Sequence, residues 1–199
     1  MMKKIMIMLA FLMIVSGTAS AAQLLTNPGF EAGNTSGWTK GYGDIFAVDA
    51  NPREGNFGAR NFWDGSMSQE AVVAPGGSYT ISGSAFIPSG GDAGGWGSYI
   101  ALDWLNASHT KISSAWSAGP DADARDTWHD YASGNLTAPS NAAYAKVSFG
   151  LWQSGAEPAN PTDFDNFALN GQPIPEPASM LLLGSGLVGL IGFARKKRS

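Results

Sequence analysis

Ser78-Tyr79-Thr80-Ile81-Ser82-Gly83-Ser84-Ala85-Phe86-Ile87 alternates hydroxyl side chains at 80, 82 and 84 with Tyr79, Ile81 and Ala85. A period of two puts the two sets on opposite faces of an extended chain, the pattern of a half-buried strand. The same period recurs on the C-terminal side. Tyr99 to Leu105 sends Ile100, Leu102 and Trp104 to one face and Tyr99, Ala101 and Asp103 to the other, and Lys146 to Trp152 sends Val147, Phe149 and Leu151 one way. Shorter candidates are Gln23–Leu25, Gly29–Glu31, Ile45–Val48, Ala59–Trp63, Met67–Val73, Lys111–Trp116, Trp128–Ser133 and Phe164–Leu169. Asn27-Pro28-Gly29, Asp64-Gly65, Pro75-Gly76-Gly77 and Ser89-Gly90-Gly91 supply turn chemistry between them. Many short strands without a long amphipathic helix predict an all-β, antiparallel β-sandwich.

The whole chain has 199 residues, 26 of them Gly, 11 Pro and none Cys. That length suits one domain with one core. Without cysteine there is no disulfide framework, thiolate nucleophile, Cys-ligated zinc or iron–sulfur cluster. A formal charge of −4 argues against nucleic acid as a partner.

The two ends differ from the middle. Residues 1–21 have the layout of a signal peptide: Lys3 and Lys4, an apolar run from Ile5 to Val15, then the small residues Ala19-Ser20-Ala21. At the other end Gln172-Pro173-Ile174-Pro175-Glu176-Pro177 cannot continue a helix or a central strand. It leads into the apolar, Gly-containing run 178–194, long enough for a short membrane helix, and then into Arg195-Lys196-Lys197-Arg198, a cationic stop expected to stay cytoplasmic. Pro175-Glu176-Pro177 followed by a Leu- and Gly-rich run and a terminal basic cluster resembles the PEP-CTERM sorting signal of Gram-negative bacteria. The resemblance implies Sec-dependent export, an inner-membrane intermediate held by the helix, and recognition and cleavage by an exosortase. It further implies association with the cell surface, extracellular polysaccharide or biofilm matrix. The predicted organisation is therefore a signal peptide (1–21), a β-sandwich (22–171) and a sorting signal (172–199) containing a transmembrane helix (178–194).

Removing the ends changes the electrostatics. Residues 22–174 carry 6 basic and 15 acidic side chains, a net charge of −9, with all 7 Trp and all 5 Tyr of the chain. Such a domain is repelled by anionic lipid and nucleic acid, and attracts divalent cations. Leu24-Leu25-Thr26-Asn27-Pro28-Gly29-Phe30-Glu31-Ala32-Gly33 with Gly37-Trp38 resembles the opening of galactose-binding-like jelly rolls, the fold of many carbohydrate-binding modules. Ser68 to Val73 with Gly77 to Ser82, Thr127-Trp128 with Ala138 to Ala142, and Asp163 to Leu169 follow the same template in order. One departure is Asp165-Asn166, where that family often has two adjacent acids.

The sandwich brings first and last strands together, so Glu31 can face Asp165, with a backbone oxygen such as that of Gly29 completing a hard oxygen shell for calcium. The resemblance implies the same structural ion, held by the Gly-x-Glu of the first strand and an acid of the last. Glu54, before Gly55, is a further candidate ligand. The alternative is that Glu31 and Asp165 cap turns or pair with Arg53 or Arg60. Sugars are bound by aromatic faces together with amides and carboxylates that read hydroxyls. Trp38, Trp96, Tyr99, Asp103 and Trp152 are the candidate ligand face, and Trp104 belongs to the core. The expected function is non-catalytic polysaccharide binding, the alternative a structural or adhesive surface protein without a glycan site. A hydrolase or lyase would draw on Asp103, Glu70 or Glu54, but nothing in the sequence pairs these acids. His129-Asp130 does not make a catalytic pair, because neighbours on a strand point to opposite faces.

Overall fold

The computed structural model describes residues 21–49, 51–62, 64–89, 96–119, 125–153 and 161–171. The expected signal peptide up to residue 20, the sorting signal 172–199 with its helix 178–194, Trp63 and the side chain of Trp96 lie outside the described residues. Among those described, alternation produces twelve strands and no helix. They are β1 (Ala22–Gln23), β2 (Thr39–Tyr42), β3 (Ile45–Val48), β4 (Gly58–Asn61), β5 (Gly65–Val72), β6 (Ser78–Phe86), β7 (Trp96–Leu105), β8 (Lys111–Ala118), β9 (Trp128–Ala132), β10 (Leu136–Thr137), β11 (Tyr144–Gln153) and β12 (Thr162–Gly171). One antiparallel sheet runs β10-β6-β12-β4-β3, joined by β1 on β12 and β9 on β6, and the other runs β2-β5-β11-β7-β8. The connections β4 to β5, β5 to β6 and β6 to β7 each change sheet. Apart from β3–β4 and β7–β8, strands adjacent in space are therefore distant in sequence, as in a jelly-roll sandwich.

The faces follow the sequence pattern. Tyr79, Ile81 and Ala85 of β6, Ile100, Leu102 and Trp104 of β7, and Val147, Phe149 and Leu151 of β11 are all buried. Between the sheets an aromatic cluster fills one half of the core. Trp38 stacks on Phe30 with centroids 5.6 Å apart and meets Phe149 edge-on at 5.1 Å, while Phe149 stacks on Phe167 at 4.8 Å. At the other end Tyr79 meets Trp104 edge-on at 5.7 Å, and its hydroxyl accepts the Ala74 N–H at 2.7 Å.

Register shifts occur between β2 and β5 and between β7 and β8, and the one that shapes the core is in β12. Phe164, Phe167 and Leu169 all face inward, although 164 and 167 differ in parity. Asp165 pairs with Ser84 and Ala168 with Ser82, so two residues of β12 oppose the single Gly83 of β6. Asn166 takes up the extra residue in the left-handed region, φ 54°, the geometry of a β-bulge. Gly83 is required opposite, because a Cβ there would lie 2.7 and 2.8 Å from the Phe167 ring.

Two expectations are corrected, and two strands are added. Gly29–Glu31 is a turn rather than a strand, because Asn27 (φ 50°) and Phe30 (φ 58°) are left-handed and break the extended chain on either side of Pro28-Gly29. The first strand ends at Gln23 instead of Leu25. Thr39–Tyr42 and Leu136–Thr137 are strands that pattern does not reveal: the first is exposed throughout at a sheet edge, and the second is two residues long.

Because Gly83 has a tight neighbour and Gly134 has nothing within 4 Å of a built Cβ, Gly83→Ala is expected to destabilise the domain by about 1–3 kcal/mol. Gly134→Ala serves as the neutral control. Urea unfolding monitored by tryptophan fluorescence measures both; equal midpoints would contradict the bulge packing.

Candidate functional site

Two groups of residues stand out, and the first is a pair of carboxylates held by one loop. The turn 27–33 carries Glu31, and the loop that contains 53–57 wraps it: Asn56 N–H donates to both carboxylate oxygens at 3.1 and 3.0 Å, and Phe57 N–H to one at 3.0 Å. These main-chain donors hold the Glu31 carboxyl below the ordinary carboxylate range. Gly55 has φ 66°, and a Cβ there would collide with the Glu31 carboxylate. Asp165, immediately before the β12 bulge, is 1% exposed. It accepts N–H bonds from Arg53 at 2.8 Å, Glu54 at 3.1 Å and Asn166 at 2.6 Å. Burial nevertheless pushes its carboxyl up, and the negative charge of Glu31 adds to this.

The two acids flank the Gly29 main chain. A Cβ on Gly29 would sit 3.5 Å from Asp165 Oδ1 and 3.9 Å from Glu31 Cγ. Among the described residues neither acid forms an ion pair, for Arg53 binds Asp130 and Arg60 binds Asp163. The turn-capping role is thus present and the pairing with Arg53 or Arg60 is not. Glu54 contributes its N–H; no cluster of three acids or histidines forms among the described residues, so its carboxylate does not complete a triad. The residues fit a hard cation in one respect: a buried carboxylate without a counter-ion stands beside a second acid and a side-chain-free backbone.

The second group is the outer face of the five-stranded sheet. On β5, β11 and β7 outward residues alternate with core residues, so the core pattern dictates what these three strands display. β5 presents Ser66, Ser68, Glu70 and Val72; β11 presents Tyr144, Lys146, Ser148 and Trp152; β7 presents Tyr99, Ala101 and Asp103. Ser68, Ser148, Ala101 and Ser117 form one cross-strand row, continued by Thr39. Glu70, Lys146, Asp103 and Ser114 form the next, with Lys111 Nζ reaching Asp103 at 2.8 Å. Aromatics frame the rows. At one end Trp152 is 50% exposed and Tyr42 44%, and the indole occupies the space a Cβ on Gly97 would take. The Tyr42 hydroxyl donates to the Leu151 carbonyl at 3.5 Å, and burial raises the phenols of both Tyr42 and Tyr99. At the other end the His109 ring stacks on Tyr144 at 4.3 Å, and its Nδ1 lies 2.6 Å from Glu70 Oε2. Eight residues of β11 separate the ends, roughly 26 Å at strand rise. A pocket of about 560 Å³ opens beside β2, lined by Thr26, Gly37, Thr39, Ser68, Gln69, Glu70 and Lys146.

Of the sequence candidates for a ligand face, Tyr99, Asp103 and Trp152 share this outer surface. Trp38 does not: it is 7% exposed inside the aromatic cluster, and its Nε1–H donates to the Asn27 carbonyl at 3.1 Å. Correcting this, Trp38 is core, because the turn before it directs its indole between the sheets. His109 is not a sequence candidate for this face, and neither are Tyr144 and Lys146. Their signal is parity, since Tyr144, Lys146 and Trp152 occupy the even positions of β11 opposite to its odd core positions.

Residues 173–198 match the model of the PEP-CTERM protein-sorting motif, which marks an exported protein sorted to the cell surface. None of the curated proteins matches the chain. Among solved structures the fold is that of carbohydrate-binding modules. TmCBM61, solved in complex with beta-1,4-galactotriose, is 22% identical, with TM-score 0.51 over 74% of this chain and 97% of that one. The CBM22-1 xylan-binding domain from Paenibacillus barcinonensis Xyn10C is 14% identical, with TM-score 0.57 over 79% and 99%. The enzymatically active domain of bacteriophage CBA120 tailspike protein 4 is 13% identical, with TM-score 0.59; the match covers 74% of this chain but spans only 21% of that chain. No described helix is long and apolar enough to cross a membrane.

Because the folded-state carboxyl of Asp165 lies above its ordinary value, its contribution to stability is present in acid and lost as pH rises through that raised value. In chelator, the parent should therefore gain stability relative to Asp165→Asn as pH falls below neutrality. Thermal melts of the two proteins across that range check the sign; a pH-independent difference would contradict it.

Proposed function

We propose that the domain binds extracellular polysaccharide, without catalysis, across the outer face of its five-stranded sheet. The chain is exported, processed by an exosortase at the Pro175-Glu176-Pro177 motif after transient anchoring by residues 178–194, and retained at the surface or in the extracellular matrix of a Gram-negative bacterium. The observation that carries the reading is the composition of that face: in-register hydroxyls and charged groups beside the exposed aromatics Trp152 and Tyr42, on the fold of carbohydrate-binding modules. Aromatic faces suit the C–H faces of sugars, and the hydroxyl and charged rows suit their hydroxyls. A catalytic reading has less support. Glu70 and Asp103 stand two strands apart, about 10 Å at strand spacing, just beyond the separation glycosidase carboxylates use. Each is also already engaged, Glu70 by the His109 ring and Asp103 by Lys111.

Calcium belongs to the same proposal as a structural ion. Glu31 and Asp165 would hold it with main-chain oxygen near Gly29, giving the buried Asp165 the counter-charge it lacks and tying the first turn to the last strand.

Trp152→Ala should weaken binding to exopolysaccharide in affinity electrophoresis about tenfold, roughly 1.4 kcal/mol, with an unchanged melting temperature. Unchanged mobility shifts in both proteins, or no retardation of the parent by any matrix polysaccharide, would contradict the proposal. Calcium should raise the melting temperature in a concentration-dependent way, and Glu31→Gln should abolish that rise; equal melts in calcium and chelator would remove the ion.

A further inference from the structure

Lys146 lies at the centre of the charged row, directly opposite Glu70 on one side and Asp103 on the other. Directly opposed side chains on neighbouring strands are within about 5.5 Å at Cβ, close enough for either carboxylate to pair with it. Neither does. Glu70 Oε2 is 2.6 Å from His109 Nδ1, and Asp103 Oδ1 is 2.8 Å from Lys111 Nζ. The Lys146 ammonium makes no ion pair or hydrogen bond among the described residues. It is half-buried and lines the pocket of about 560 Å³ together with the hydroxyl-bearing Thr26, Thr39 and Ser68, a size typical of small-ligand sites. The amide of Gln69 is already spent on the main chain of Thr26, accepting from its N–H at 2.6 Å and donating to its carbonyl at 2.9 Å.

The pocket thus pairs an ammonium with hydroxyl donors, and its one carboxylate is drawn aside by histidine. We propose that this pocket is a subsite for an acidic sugar residue, whose carboxylate meets Lys146 Nζ and whose ring hydroxyls meet Thr39, Ser68 and the free Glu70 Oε1. The inference rests on the polysaccharide-binding reading and specifies the ligand's charge. The domain's net charge of −9 does not oppose it at long range, since charges beyond a Debye length of about 8 Å are largely screened at physiological salt; of the two nearest acids, Asp103 is paired with Lys111 and Glu70 is hydrogen-bonded to His109.

The test is isothermal titration of the secreted domain with oligomers of galacturonate, of mannuronate and of glucuronate-substituted xylose, each against its carboxyl-reduced, uncharged form. At least one acid should bind tenfold or more tighter than its reduced form, with the advantage shrinking as salt rises. Lys146→Gln should erase the advantage, Lys146→Arg should keep most of it, and Lys40→Gln, which removes a cation paired with Asp44, should leave it intact. Equal binding of acid and reduced forms, or an advantage that survives Lys146→Gln, overturns the acidic subsite while leaving polysaccharide binding in place. If no oligomer binds in either form, while Trp152→Ala also leaves exopolysaccharide mobility unchanged, both readings fall together.

Discussion

Phe167 reaches the core only because β12 carries one residue more than β6 between Asp165 and Ala168. That bulge is the constraint on which the rest depends. It lets Phe164 and Phe167 face the same way, placing Phe167 against Phe149 and Phe30, and with them Trp38. It needs a glycine opposite, supplied by Gly83, and a residue that tolerates the left-handed region, supplied by Asn166. The Phe167 N–H then donates to the Pro28 carbonyl at 3.2 Å, and the Gln23 amide donates to the Phe167 carbonyl at 3.1 Å. First and last segments are clasped at this point without a disulfide, in a chain that has no cysteine to make one.

The same bulge fixes the electrostatics. Asp165 precedes it and is turned into the loop that also holds Glu31, so a packing device and a pair of unneutralised acids share one place. Left-handed Asn27, Phe30, Asn51 and Gly55 gather in the turn and loop around it. Backbone in that region costs free energy for non-glycine residues and persists where surroundings over-determine it. Here the surroundings are the buried Phe30 ring on one side and the two carboxylates on the other. On the opposite sheet the core sets the outer surface by parity alone: each buried residue of β5, β7 and β11 obliges its neighbours to face outward, so the hydroxyl row, the charged row and Trp152 are the complement of the core pattern.

Where alternation was strict, the sequence was enough to read the strand and its faces; Ile45–Val48 has the same bounds in both. The sandwich and the proximity of Glu31 to Asp165 were also legible, because closing such a fold joins its first and last strands. Phe167 was not, since a bulge changes parity and leaves no mark beyond an Asn before a Phe. Trp38 was misplaced because a tryptophan at a strand's start reads alike whether its indole turns in or out; the turn at Asn27 to Phe30 decides, and its left-handed residues follow from tertiary packing. The role of Lys146 is illegible in the sequence for another reason. A lysine on an alternating strand is ordinary until its neighbours are seen to be set against other groups, which depends on His109 folding back from the β7–β8 hairpin.

On the proposed function, the face opposite the core, and neither the loops at its ends nor the other sheet, takes the polysaccharide. Amide chemical-shift mapping of the isotope-labelled domain during titration with a fragment of the native exopolysaccharide addresses it directly. Saturable shifts should concentrate in Ser66 to Glu70, Tyr99 to Asp103 and Lys146 to Trp152, leaving β3, β4 and β9 unmoved. Shifts confined to the seven-stranded sheet, or none at saturating fragment, would contradict the account.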